Sequence, residues 1–168
     1  MKRLLAPWRD SYVSKPTSDE GCILCKIGVE TDNDRENYVL FRTDGFYIVL
    51  NRFPYINGHL MIVPLRHTGD LSSLQESELY TMMQLIVRCE KALAEGMKCM
   101  GINGGWNLGN CAGAGIEGHI HVHMLPRWSG DANFMTTVCE TRVISSSLED
   151  SYKRLKPFFE KGDNSGHR

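Results

Sequence analysis

His119, His121 and His123 stand at every second position, with Ile120, Val122 and Met124 following them in turn. In an extended strand this spacing puts three imidazoles on one face and three aliphatic chains on the other; in a helix, steps of two would scatter them. The strand reading is preferred, and it predicts neighbouring histidines about 6.6 Å apart and the outer two about 13 Å apart. Zinc–nitrogen bonds of about 2.0–2.1 Å cannot easily gather all three on one ion, so the three are expected to do separate work along an extended substrate. A buried neutral imidazole, with an ordinary pKa of about 6.5, can attack phosphorus. A second can protonate or hydrogen-bond the departing oxygen. The alternative is a polar sheet face that merely happens to hold histidines; three of the chain's six on one face argues against it.

Two further patterns could do chemistry. Gly113-Ala114-Gly115-Ile116-Glu117-Gly118 formally matches the G-x-G-x-x-G dinucleotide fingerprint. A strand is expected after it where that fingerprint needs a helix, and too little chain remains for a doubly wound sheet. Small residues there still let backbone N–H groups approach phosphate oxygens closely, the alternative being simply a tight turn. Cys22-Ile23-Leu24-Cys25 is half of a zinc knuckle, and His67, just after an expected strand, offers a third ligand. Ordinary thiols remain an alternative. So does a redox Cys-x-x-Cys, although that should open a helix beside a βαβ unit and a polar loop is expected here.

The triad reads His-φ-His-φ-His-φ-φ, with φ apolar, over His119-Ile120-His121-Val122-His123-Met124-Leu125. In this it resembles the histidine-triad superfamily. Leu50-Asn51-Arg52-Phe53-Pro54 and Gly58-His59-Leu60-Met61-Ile62-Val63-Pro64 resemble that family's nucleoside-binding strand pair, and the likeness covers roughly residues 22–140. The resemblance implies that His121 is a nucleophile forming a nucleotidyl-histidine, with His123 near the scissile bridging oxygen. It also implies that Asn51 binds ribose, that Asn107 contacts a phosphate or orients the triad, and that His59 supports the site. A homodimer with a sheet continuing between protomers is implied as well. Many members carry a Gln-Ser/Thr pair four and three residues before the first histidine; here Gly115 and Ile116 stand there, which moves phosphate contacts toward backbone donors. In some related proteins a cysteine pair joins two histidines around zinc, which carried over gives Cys22, Cys25, His67 and His119. The Ala6-Pro7-Trp8-Arg9 arm and the stretch from Pro126 to Phe134 resemble the branch containing diadenosine tetraphosphate phosphorylases.

The elements that must hold these residues read as α+β: an antiparallel sheet of about five strands, one long helix and a C-terminal helix. Strands are expected over 38–42, 46–51 and 59–64, separated by Thr43-Asp44-Gly45 and Asn57-Gly58, with another around Trp106-Asn107-Leu108 and the last over 119–126. The long helix is expected from Ser72 to Glu95, capped by a Ser73/Glu76 box and stopped at Gly96. Its apolar stripe reads Leu79, Met82, Met83, Ile86, Leu93 and Ala94, and Cys89 is taken as packing within it. The C-terminal helix starts near Ser147 with Leu148, Tyr152, Leu155 and Phe159 inward and Pro157 disturbing its end. Residues 28–37 are expected to be a surface loop. The division is an N-terminal arm (1–21, with Trp8 and Tyr12 as anchors), a nucleotide-binding domain (22–140), and a helix with a frayed tail (141–168).

The 168 residues carry 19 basic and 20 acidic side chains, a formal charge of −1. That balance excludes a broad electrostatic surface for nucleic acid but not a local phosphate site. The apolar run before Pro7 is too short for a secretory signal, no stretch approaches the ~20 residues of a membrane helix, and six cysteines with one close pair do not suggest a disulfide framework. A cytoplasmic location is expected. The functional expectation is a transferase or hydrolase cleaving a dinucleoside polyphosphate at the α-phosphate, phosphorolysis being favoured over hydrolysis to AMP, with inorganic phosphate as a candidate acceptor and zinc as the only cofactor. A nucleotide-binding module with vestigial catalysis and a zinc-organised interaction domain are the competing readings.

Overall fold

The Thr43 hydroxyl accepts the Phe46 amide at 2.9 Å and the Gly45 amide at 3.3 Å, which turns the chain between two short apolar strands. These are β1 (Val39–Arg42) and β2 (Phe46–Leu50), paired antiparallel. The Asn57-Gly58 turn returns β3 (Leu60–Pro64) alongside β2, with Ile48 opposite Ile62. β4 (Gly101–Gly105) and β5 (Val122–Arg127) complete a five-stranded antiparallel sheet in the order β1-β2-β3-β5-β4. The computed structural model describes residues 21–139 and 143–160; the expected arm with Trp8 and Tyr12 and the expected tail at 162–168 lie outside the described residues, apart from Gly21.

Alternation along the strands gives the sheet two different faces. Leu40, Ile48, Leu60, Ile62, Val122 and Met124 face the long helix α2 (Glu76–Met97) and the C-terminal helix α4 (Leu148–Glu160). Val39, Tyr47, Val49 and Val63 face a smaller cluster built from Leu24 and Ile27 of the first helix, α1 (Ile23–Val29), together with Ile116. The Tyr47 hydroxyl donates to the Leu24 carbonyl at 2.7 Å. Arg42 donates to the Gly28 and Ile27 carbonyls at 2.7 and 2.8 Å and pairs with Asp34. A cation at the carbonyl end of α1 also suits its dipole. One more short helix, α3 (Phe134–Val138), follows β5. Among the described residues no helix is long and apolar enough to cross a membrane.

The α+β class and the antiparallel sheet are as expected, and several details differ. α1 runs two residues into the expected 28–37 loop; Cys22 is its N-cap and Cys25 lies in its first turn, so the cysteine pair does open a helix, and a short 3-10 turn (Thr31–Asn33) comes after it. α2 begins at Glu76, because the Asp70 carboxylate caps a 3-10 turn over Leu71–Ser73, and the capping box is formed by Gln75 and Glu78. The buried stripe of α2 is Met82, Leu85, Cys89, Ala92, Leu93 and Met97; Leu79, Met83 and Ala94 lie exposed. Gly96 does not end the helix. A Cβ there would stand 3.0 Å from the Phe158 ring and 3.1 Å from the Arg154 carbonyl, so Gly96 lets α4 cross closely, and Lys98 in a left-handed conformation closes α2. Residues 106–108 form no strand; the strand beside β5 is Gly101–Gly105. Tyr152, Leu155 and Phe159 of α4 are buried as expected, and the helix runs through Pro157 to Glu160.

Candidate active site

β2 and β3 place Asn51 and His59 at the two sides of one turn, where the Asn51 amide donates to the His59 carbonyl at 2.9 Å. His123, in β5, lies opposite Met61 of β3. These registers bring His59 Nε2 to 2.8 Å from His123 Nδ1, with both rings buried. The backbone sets the direction of that bond. The Tyr55 amide donates to His59 Nδ1 at 3.2 Å, so the His59 proton sits on Nε2 and is donated to His123 Nδ1. His123 then carries its own proton on Nε2. Burial, reinforced by the neighbouring imidazoles, pushes His59 down to about 3 and His123 down to about 4, so both are neutral near pH 7.

The β5 ladder begins only at Val122, so His119, Ile120 and His121 precede the sheet instead of continuing one long strand. The Ile120 amide leaves the sheet register to donate to the Thr68 carbonyl at 2.7 Å. The three imidazoles consequently do not form a single row: His119 turns toward the cysteines while His121 and His123 meet edge to face, 4.8 Å between ring centres. His121 Nδ1 lies 2.8 Å from the His119 carbonyl and can only donate to it, which leaves the lone pair of His121 on Nε2. Burial holds His121 below the usual imidazole range, against the opposing pull of that carbonyl.

His121 and His123 line a small pocket together with Asn51, Tyr55, Asn107 and Gly115. It shares Asn51, Phe53, Met61 and Gly115 with an adjoining open cleft of about 1180 Å³, whose apolar wall is Ile23, Leu24, Ile27, Val49 and Ile116. Gly113 also lines the pocket and adopts a φ of +88°, a conformation open to glycine at little cost. The Gly113 and Ala114 amides are spent on the Asn110 and Gly109 carbonyls, whereas those of Gly115 and Ile116 meet no acceptor among the described residues. Asn107 Nδ2 reaches the Gly113 carbonyl at 3.4 Å, and the side-chain Oδ1 of Asn51 accepts the Phe53 amide at 2.9 Å.

Behind the pocket, Cys22, Cys25, His67 and His119 bring four ligand atoms within 4.8 Å of one another. His119 Nδ1 lies 3.4 Å from Cys22 Sγ and 3.3 Å from Cys25 Sγ, and His67 Nδ1 lies 3.1 Å from Cys25 Sγ. His119 Nε2 donates to the Pro64 carbonyl at 2.8 Å, so its Nδ1 lone pair is directed into the cluster. Two thiols and two imidazoles converging in this way could hold one tetrahedral metal ion, and the donor types suit zinc. No disulfide joins the six cysteines. The helix that the pair opens does not create a βαβ unit, since it is followed by an antiparallel hairpin.

Of the candidate residues from the sequence, His121, His123, Asn51, Asn107, Gly113 and Gly115 line the pocket, and Cys22, Cys25, His67 and His119 form the cluster. His59 is buried against His123, and Ala114 lines neither place. Sequence reasoning missed the aromatic rim of Phe53 and Tyr55 and the apolar wall of Ile23, Leu24, Ile27 and Val49. The rim could have been found from Phe53-Pro54-Tyr55, which sits in the turn between Asn51 and His59. The wall carries no local signal, because α1 and β2 meet only in three dimensions.

Residues 33–130 match the HIT domain. The AP-4-A phosphorylase of Mycobacterium tuberculosis is 34% identical over 161 residues, covering 92% of this chain and 83% of that protein. The bis(5'-adenosyl)-triphosphatase of Dictyostelium discoideum is 24% identical, covering 77% of this chain and 91% of that protein. Among solved structures, a Zn-bound histidine triad family protein from Mycobacterium smegmatis superposes with a TM-score of 0.68 at 26% identity, covering 84% of this chain and 95% of its own.

Proposed function

The chain belongs to the HIT domain family, and from that premise we propose that it cleaves a dinucleoside polyphosphate at the α-phosphorus in two steps. The enzyme is of the nucleotidyltransferase or nucleotide hydrolase kind, as its named relatives are. In the first step the Nε2 lone pair of His121 attacks the α-phosphorus. The bond to the bridging oxygen breaks with its electron pair staying on the departing polyphosphate, and the neutral His123 donates a hydrogen bond from Nε2–H to that oxygen while keeping its proton. In the second step inorganic phosphate, or water, attacks the phosphorus of nucleotidyl-His121 and the imidazole leaves. The single observation that carries this reading is the pair of opposite tautomers: a lone pair on His121 beside a proton on His123, both at one pocket.

The remaining roles follow from position. The apolar cleft takes the base, Asn51 the ribose, and the Gly115 and Ile116 amides the α-phosphate oxygens, where backbone donors replace the missing Gln-Ser/Thr pair. Of the Gly113, Ala114 and Gly115 amides that the sequence offers for this role, those of Gly113 and Ala114 are bonded within the loop, so Gly115 is kept and Ile116 is added. Asn107 steadies that loop through the Gly113 carbonyl. Zinc at Cys22, Cys25, His67 and His119 would supply a fixed tetrahedral anchor. The proposal includes a homodimer formed along β4, the edge strand beside β5, and action in the cytoplasm, where thiols stay reduced.

The acceptor is tested with diadenosine tetraphosphate. Cleavage that requires inorganic phosphate and yields ADP plus ATP makes the enzyme a phosphorylase. Cleavage in phosphate-free buffer that releases AMP makes it a hydrolase. No cleavage of any dinucleoside polyphosphate under either condition would overturn the proposal.

A further inference from the structure

The nucleophile is fastened from the metal side. His119, Ile120 and His121 precede the first ladder pair of β5, so sheet bonds do not orient them. They are held instead at a few points: His119 Nε2 on the Pro64 carbonyl, the His119 amide on the Ile116 carbonyl at 3.3 Å, the Ile120 amide on the Thr68 carbonyl, and the Nδ1 face of His119 against both cysteines. Two of these acceptors, Pro64 and Thr68, bracket His67, the other imidazole of the cluster. The 64–68 and 119–121 segments are therefore laced together, and the Cys22/Cys25/His67/His119 cluster is the knot that can be tied or untied by one ion. The knot reaches the nucleophile through the His119 carbonyl, whose peptide must keep its direction for His121 Nδ1–H to bond to it.

We infer that Cys22, Cys25 and His67 are positioning residues for His121: a divalent metal ion shared by them and His119 fixes the His119 peptide and so keeps the His121 lone pair on the pocket side. Without the ion, His119 loses the restraint on its Nδ1 side, its peptide can rotate, and His121 exchanges between tautomers. Ile23 and Leu24 of the cleft wall lie between the two cysteines, but Leu24 and Ile27 stay packed against Tyr47, Val49 and Val63 and the Tyr47 hydroxyl holds the Leu24 carbonyl. With Asn51 fixed by the β2–β3 turn, these contacts keep the cleft without the ion, so binding is spared. The inference rests on the reading of His121 as the nucleophile.

The test uses the full-length protein, stripped by a chelator under reducing conditions and reloaded with zinc. Its readouts are zinc content, AMP affinity by calorimetry, the rate of the single-turnover covalent step, and the nitrogen-15 spectrum of the His121 imidazole. The stripped protein should keep AMP affinity within about threefold while the covalent step slows by about 10²-fold, the scale expected when a reacting group is displaced by about 1 Å. Its His121 signal should change from one Nδ1–H tautomer to an exchanging mixture, and zinc should restore both rate and signal. Cys25→Ser should need excess zinc for the same rescue. A protein that takes up no zinc, or a stripped protein with unchanged rate and His121 signal, overturns the inference. So does parallel loss of AMP affinity and rate, which marks a merely structural role. A zinc-loaded protein that forms no nucleotidyl-histidine overturns the proposed function instead; the His121 signal alone then judges this inference, and an unchanged signal ends it.

Discussion

His59 Nε2 lies 2.8 Å from His123 Nδ1, and one proton bridges the two rings; His59 is fully buried, and His123 is buried apart from the edge that lines the pocket. Neither ring can gain a second proton without creating a buried cation against its partner.

That pair makes acid stability predictable. Both histidines titrate near 6.5 when unfolded, but are lowered to about 3 and about 4 when folded, first by burial and then by neighbouring imidazoles. Below pH 6.5 the unfolded chain therefore binds protons that the folded chain refuses, so stability is complete above that pH and falls as pH drops toward 4. Each histidine contributes a slope of up to about 1.4 kcal/mol per pH unit. Urea unfolding of wild type and His59→Gln at several pH values between 4 and 7 should show a shallower acid decline in the variant. Identical slopes would contradict the shared proton.

The apolar wall of the cleft should govern affinity without chemistry. Ile23 is 46% exposed and lines the cleft at some remove from the histidines. Ile23→Ser should raise KM for the dinucleotide about tenfold, leave kcat within about twofold and hardly change the melting temperature, as expected for loss of binding shared by ground and transition states. Steady-state kinetics separates the two constants; a fall in kcat at unchanged KM would place Ile23 in the wrong role.

The orientation of α2 has a thermodynamic consequence. Leu93 is 0% exposed whereas Met83 is 56% exposed. Leu93→Ala should cost about 2–5 kcal/mol, while Met83→Ala should stay within about 0.5 kcal/mol. Denaturant unfolding checks both, and equal losses would mean the helix faces the core differently.

Those two residues also show where the sequence was readable. The existence and length of α2 were legible, yet apolar residues cover so much of its circumference that a 3.6 period fits more than one stripe; packing against β3, β5 and α4 selected the one with Leu85, Cys89 and Ala92. β1, β2 and β3 were legible because Thr43-Asp44-Gly45 and Asn57-Gly58 punctuate alternating apolar runs. β4 was not, since three of its five residues are glycine and its identity comes from pairing with β5. At the site, the histidine period and the cysteine pair were visible as local spacing. The divergence of His119 from His121 was not, because it arises from Pro64 and Thr68, more than fifty residues upstream.

The central claim is a covalent bond between His121 Nε2 and the α-phosphorus. Protein mixed with α-labelled dinucleoside polyphosphate and quenched in base should carry stable label on His121, located by peptide mapping. His121→Ala, with its melting temperature preserved, should carry none and lose at least about 10³-fold in turnover. Unlabelled wild type during active turnover, or a His121→Ala protein that turns over at the wild-type rate, would contradict it.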